Sequence, residues 1–281
     1  MIRSIIIRLF ILVVFALLIP HVVYAMKVIV KPKEVIPGDV FILQVETDRA
    51  KPAEAEFLGI KIPLYPAKGN QLVAMVPVDI DTAPAKYKVN ITVGDDRHKA
   101  EITVRRHTFR TIKLTLPEEK VTLSPENEAR AVREAELLNK IWPEYTVPVW
   151  NGRFISPTNS DVSTAFGVKR IMNEKKTSVH KGTDFRGAAG DPVKAINSGT
   201  VVLTEELFFG GNTLIVDHGM GLYSVYMHLS KFSVSKGERI SKSQVVGSVG
   251  STGRASGPHL HMSVRLNGMS INPESLFKLE L

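Results

Sequence analysis

From Lys27 to Arg106, and again from Trp150 to Leu266, the chain is a succession of short β-branched runs cut by turn residues, and this punctuation restricts its fold more than anything else. In the first stretch Val28-Ile29-Val30, Val40 to Val45, Leu72 to Val78, Tyr87 to Val93 and Ala100 to Val104 are separated by Pro37-Gly38-Asp39 and Gly94-Asp95-Asp96. Such spacing predicts a small antiparallel sandwich. In the second stretch Pro192 to Ile196, Thr200 to Leu203, Thr213 to Val216, Tyr223 to Met227, Gln244 to Val249 and Leu260 to Leu266 have glycine at their corners. They predict a compact, bent antiparallel sheet. Between the two, Ser124 can cap a helix, Pro125 suits its first position, and the run through Leu137, Leu138 and Ile141 ends before Pro143. A chain of 281 residues exceeds the usual single domain of about 100–200 residues. The expected fold class is therefore mostly β, with a β-sandwich at 26–106, a connector with one helix at 107–149 and an antiparallel β domain at 150–281.

Residues 1–25 have the design of a signal peptide: Arg3 and Arg8, an apolar core from Leu9 to Ile19, and Val23-Tyr24-Ala25 for the peptidase to read. The alternative, a retained anchor, would rest on an apolar stretch broken by Pro20 and His21, at the short limit for spanning a bilayer. Cleavage makes the chain an exported protein of the periplasm or cell envelope, and not an integral membrane protein. The absence of cysteine removes disulfides and thiolate ligands, so any metal must be held by histidine and carboxylate. The net charge of +8, which falls to +6 when Arg3 and Arg8 leave with the signal, suits attraction to anionic envelope polymers and ordinary solubility equally. Export and the lack of a basic run interleaved with aromatics argue against nucleic acid. The N-terminal stretch resembles the immunoglobulin-like modules of exported bacterial proteins in architecture alone. It offers a surface for an envelope protein partner and no catalytic cluster.

Five of the eight histidines, His180, His218, His228, His259 and His261, fall between residues 180 and 261. His180 and Asp184 lie four apart, with Gly182, Thr183, Phe185 and Gly187 favouring a strand-and-turn path over a helix. From His259 the sequence alternates cleanly, so a period of two places His259, His261, Ser263 and Arg265 on one face and Leu260, Met262, Val264 and Leu266 on the other. Two imidazoles on the polar face of a half-buried strand point to chemistry rather than packing. His228 gains weight from these neighbours. His218, at a strand end in Asp217-His218-Gly219, reads as a structural brace.

His180-x-Gly-x-Asp184-Phe185, Tyr226-x-His228-Leu229 and Gly257-Pro258-His259-Leu260-His261 together resemble the lysostaphin-type M23 peptidases, the LytM domain. The likeness extends over about residues 150–275 and takes in Ser163-Thr-Ala-Phe166-Gly167, Gly190-x-Pro192-Val193-x-Ala195, Gly211-Asn212 and Gly250-x-Thr252-Gly253. Strand geometry alone leaves open which of His259 and His261 meets a metal. The resemblance implies that His180, Asp184 and His261 bind one zinc ion, with His228 and His259 as the catalytic pair beside it. It further implies a zinc endopeptidase acting on peptidoglycan stem peptides, at D,D cross-links in preference to glycine bridges. The competing reading is a non-catalytic LytM-like activator of a cell-wall amidase, whose relatives typically lose metal ligands that this chain keeps.

Overall fold

The structure, a computed structural model, describes residues 26–47, 52–67, 69–115, 122–143 and 145–280. The expected signal peptide, residues 1–25, lies outside them. The chain is mostly β. Its first part contributes β1 (Lys27–Lys31), β2 (Glu34–Val35), β3 (Val40–Glu46), β4 (Ala53–Phe57), β5 (Ile60–Pro63), β6 (Tyr65–Pro66), β7 (Gln71–Pro77), β8 (Ala85–Val93) and β9 (Asp96–Val104). These form one sheet in the order β1-β3-β7-β6 and another in the order β2-β9-β8-β4-β5, which share one apolar core built around Phe41, Leu43, Ala55, Phe57, Val76 and Ile91.

The pairing is not purely antiparallel, since β2 runs parallel to β9. Pro32 has no N–H to give to a neighbouring strand. Pairing of β1 with β3 accordingly stops at Lys31, and the chain crosses to the other sheet as β2. Strands β4 and β5 are not visible in the sequence because Ala-Glu-Ala-Glu-Phe has little β propensity; cross-strand partners on β8 make it a strand.

The rest of the chain runs β10 (Thr111–Leu114), α1 (Pro125–Asn139), β11 (Val162–Thr164), β12 (Lys169–Met172), β13 (Lys176–Val179), β14 (Thr183–Arg186), β15 (Pro192–Lys194), β16 (Gly199–Leu207), β17 (Gly211–Gly219), β18 (Leu222–Phe232), β19 (Arg239–Ile240), β20 (Val245–Val249), β21 (His259–Leu266), β22 (Met269–Ile271) and α2 (Pro273–Phe277). A large sheet follows the path β11-β14-β21-β18-β17-β16-β19. Its face bearing Leu260, Met262, Val264, Leu266 and Tyr226 is fully buried. The sequence predicts a helix alone in the connector, yet this segment also supplies β10, which pairs in parallel with β12.

Helix α1 begins as its sequence predicts, with Ser124 Oγ accepting from Asn127 N and Pro125 in the first turn. After it the chain drops Leu138, Ile141 and Trp142 onto Leu203, Leu207, Ile215, Tyr223 and Val225. Tyr223 and Val225 are paired with Arg265 and Ser263 of β21. The end of α1 therefore sits on the same face of the sheet as the two β21 histidines, with the Arg265 guanidinium 4.7 Å over the Trp142 ring.

The sandwich is docked on the large sheet. Val40, Ile42, Val73 and Met75 turn away from the sandwich core and join the core that contains Ile271 and Leu276. This explains the unbroken apolar run Val40-Phe41-Ile42-Leu43, since both faces of β3 are covered. Asn272 N donates to Gly38 O at 2.7 Å, and Asn272 Nδ2 to Asp39 Oδ1 at 3.2 Å.

His218 braces the core. It is fully buried, with Nδ1 2.8 Å from Ser198 O and Nε2 2.8 Å from Ser224 Oγ, and Ser224 Oγ lies 3.2 Å from the Tyr226 hydroxyl. Nδ1–H donates to the carbonyl, so Nε2 of the neutral ring accepts from Ser224. Burial pushes this imidazole down to about 4 from 6.5. The unfolded chain therefore binds the proton first, and the stability contributed by neutral His218 is complete above pH 6.5 and lost as pH falls toward 4. Urea unfolding should show His218→Gln losing about 2 kcal/mol less than the parent between pH 7.5 and pH 5. Equal losses in both would show that His218 titrates alike in the folded and unfolded states.

Candidate metal and catalytic centre

Three of the sequence-predicted residues converge because of strand register. Asp184 on β14 lies directly opposite His261 on β21, so both side chains leave the same face. His180, just beyond β13, closes the group. Asp184 Oδ1 is 2.7 Å from His261 Nδ1 and 3.0 Å from His180 Nε2, and the two ring nitrogens are 3.1 Å apart. Gly182 makes the approach feasible, since a Cβ there would lie 2.6 Å from His261 Nε2. The glycine in His-x-Gly-x-Asp is thus a packing requirement, which spacing alone does not reveal.

The outer nitrogen of each ring is engaged. His180 Nδ1 lies 3.0 Å from Ala165 O and so donates to it, which leaves Nε2 of the neutral ring as a bare lone pair facing a carboxylate oxygen. His261 Nε2 is 2.9 Å from Ser263 Oγ, a contact that orients the ring. Burial alone would raise the Asp184 carboxyl, but the hydrogen bonds and charges of His180 and His261 hold it well below the usual carboxylate range. Burial pushes His261 down, against the pull of Asp184. Three electron-pair donors this close, one of them in a ring that resists protonation, match the demand of a small cation. Ligand atoms about 2.0–2.2 Å from one ion can have such mutual spacings. His180, Asp184 and His261 can therefore hold a metal ion. Arg170 Nη2, 3.5 Å from Asp184 Oδ2, is a neighbour that the sequence does not single out.

His228 and His259 stand beside this group. Their ring centroids are 4.8 Å apart, and that of His228 is 6.0 Å from that of His261. His228 adopts φ 63°, an uncommon left-handed conformation for a histidine, at an irregularity where Tyr226 and Leu229 of β18 face Leu214 and Asn212 of β17. The backbone is held there by His228 N donating to Gly210 O at 2.7 Å. The kink is local strain at a cluster of chemically capable side chains. His228 Nδ1 donates to Thr252 O and His259 Nδ1 to Gly257 O, each at 2.9 Å, so Nε2 of each ring is the nitrogen free to exchange a proton. Burial pushes His228 down to about 4, with the Thr252 carbonyl opposing. The side chains of His259 and His261 keep 20% and 15% exposure, so the centre opens to solvent on their side. His218 is excluded from the group, sealed in the core against Phe154 and Ser224.

The model of "Peptidase family M23" matches residues 178–273, so this segment is a peptidase M23 domain. A peptidoglycan DD-endopeptidase of Vibrio cholerae, ShyA, is 38% identical over 112 residues, which make up 40% of this chain and 26% of that protein. The DD-carboxypeptidase/endopeptidase Mpg of Neisseria meningitidis is 36% identical over 115 residues, 41% of this chain and 26% of its own length. The chain thus spans about a quarter of the curated relatives it matches. A structure from Pseudomonas aeruginosa assigned to peptidase M23 superposes with TM-score 0.67 and 28% identity, over 86% of this chain and 94% of that one. Its fold includes the sandwich as well as the large sheet.

Proposed function

We propose that this chain is an exported zinc endopeptidase that hydrolyses D,D cross-links of bacterial peptidoglycan. The observation that carries the reading is the convergence of His180, Asp184 and His261 on one point beside the His228 and His259 pair. Zinc is the expected ion because the donors are two imidazoles and one carboxylate, and three protein ligands leave a position open as catalytic zinc sites do. When bound, the ion supplies a Lewis acid that polarises a carbonyl and lowers the pKa of water toward 7.

The chain's own residues do the rest. His180 is held in its tautomer by Ala165 O, and the ring of His261 is oriented by Ser263 Oγ. One member of the His228 and His259 pair, neutral, takes a proton from the attacking water at Nε2 and passes it to the leaving amine, while the other, in its protonated form, donates Nε2–H to the developing oxyanion. Burial keeps His228 neutral at neutral pH and so able to accept. Trp142 packs on the strand face that carries the centre, under Arg265, and the centre is open to solvent near His259.

The relatives named as DD-endopeptidases share the segment that builds this centre, which supports the D,D bond as target and the envelope as location. An amidase activator would need none of the donors kept here. The protein stripped by chelator should lose cleavage of a cross-linked muropeptide dimer and regain it at about one zinc per chain, followed by chromatography and metal analysis. Inactivity at full zinc loading would contradict the assignment.

A further inference from the structure

The cavity beside the centre has a chemistry of its own. It has a volume of about 160 Å³ and is lined by Thr158, Asn159, Ser160, Arg186, Asp191 and Lys194, among others. Arg186 lies directly opposite His259 across the pair β14 and β21, two residues from Asp184 on the same face of β14. On the other side of His259, its bridge to Gly250 brings the end of β20, with Val249 in the cavity wall. The cavity wall therefore includes the strand partner of His259, Arg186, and the neighbour of its bridge partner, Val249, although His259 itself does not line it.

Its polar groups favour an anion. Among the described residues the Arg186 guanidinium and the Lys194 ammonium have no carboxylate partner. The acid in the wall, Asp191, is already engaged, with Oδ2 accepting from Ala188 N at 2.7 Å. Thr158 Oγ1 accepts from Ser160 N at 3.3 Å, and its own hydroxyl proton remains to be donated. Two cations and a hydroxyl around a recess of this size suit a carboxylate, which a guanidinium grips with two parallel hydrogen bonds.

We propose that this cavity binds the free carboxylate next to the cleaved bond, with Arg186 and Lys194 as its specificity-determining residues. The inference rests on the peptidase reading above. In a direct D,D cross-link through a diamino dicarboxylic acid, the carbon bearing the released amine also bears a carboxyl group. A group so placed lies within one residue of the His228 and His259 pair, as the cavity does. The site thereby selects diamino dicarboxylic cross-links over those through lysine or glycine, which lack that carboxylate.

The test uses two synthetic cross-linked peptides that differ only in a carboxylate or a carboxamide at that carbon. With the zinc-loaded protein, kcat/KM should favour the carboxylate about tenfold or more, and the double variant R186Q/K194Q should bring the ratio to about one. A ratio near one in the parent, or an unchanged ratio in the double variant, would overturn the proposal. If neither peptide is cleaved the peptidase reading fails, and calorimetry with the same peptides decides the cavity separately. Tighter binding of the carboxylate form that is lost in R186Q/K194Q upholds it, and equal binding of both forms overturns it.

Discussion

Replacing Asp184 with asparagine, or His261 with alanine, is expected to lower kcat/KM on a cross-linked muropeptide by about a thousandfold or more. Both substitutions act on one point, because Oδ1 of Asp184 lies within 3.0 Å of both His180 Nε2 and His261 Nδ1. The asparagine keeps the shape and loses the charge, so the remaining imidazoles face each other without the carboxylate that gathers them. Metal analysis should find well under one zinc per chain in either variant. Circular dichroism should find the fold retained, because the strands carrying these residues are paired along their length and backed by Leu260, Met262 and Tyr226. A variant with full activity and no metal would remove the metal from the account.

The second large effect separates chemistry from metal binding. His228→Ala and His259→Ala should each cost about 10²–10⁴ in kcat while leaving about one zinc per chain, since neither ring belongs to the ligand triangle. The double variant should lose little more than the worse single one, because the proton acceptor and the oxyanion donor serve one transition state and act as a unit. Multiplicative losses would mean that the two rings work independently. Loss of zinc in His228→Ala would place that ring among the ligands.

How far the sequence can be read follows from where the chemistry sits. The alternation from His259 to Leu266 is legible because a half-buried strand writes its two faces in turn, and β21 is such a strand: Leu260, Met262, Val264 and Leu266 are buried, and His259 and His261 open to the site. His180 and Asp184 are legible as a pair, although only the register of β14 against β21 shows that Asp184 meets His261. The resemblance implies His261 as ligand; the geometry supplies a reason, its Nδ1 lying 2.7 Å from Asp184 Oδ1 while His259 Nε2 stands 3.9 Å away.

Other features are hidden because they depend on tertiary packing. The left-handed backbone of His228 arises from a mismatch between β18 and β17, which no local propensity announces. Gly182 is required by the ring of His261, 79 positions further along. Strands β11 to β14 are too short to write a clear alternation, and the pairing of β11 with β14 carries a register shift. The docking of the sandwich does leave a trace. Val40-Phe41-Ile42-Leu43 lacks the alternation of a one-sided strand, and that run is the available sign that β3 is covered on both faces.

Mass spectrometry of the fragments that the protein releases from purified sacculi, with chelator and after zinc is restored, tests the metal and the bond together. Zinc-dependent conversion of cross-linked dimers to monomers by hydrolysis of the D,D bond, with stem peptides still attached to glycan, is the expected result. Unchanged dimers from protein carrying one zinc per chain, or stem peptides freed whole from the glycan, would contradict it.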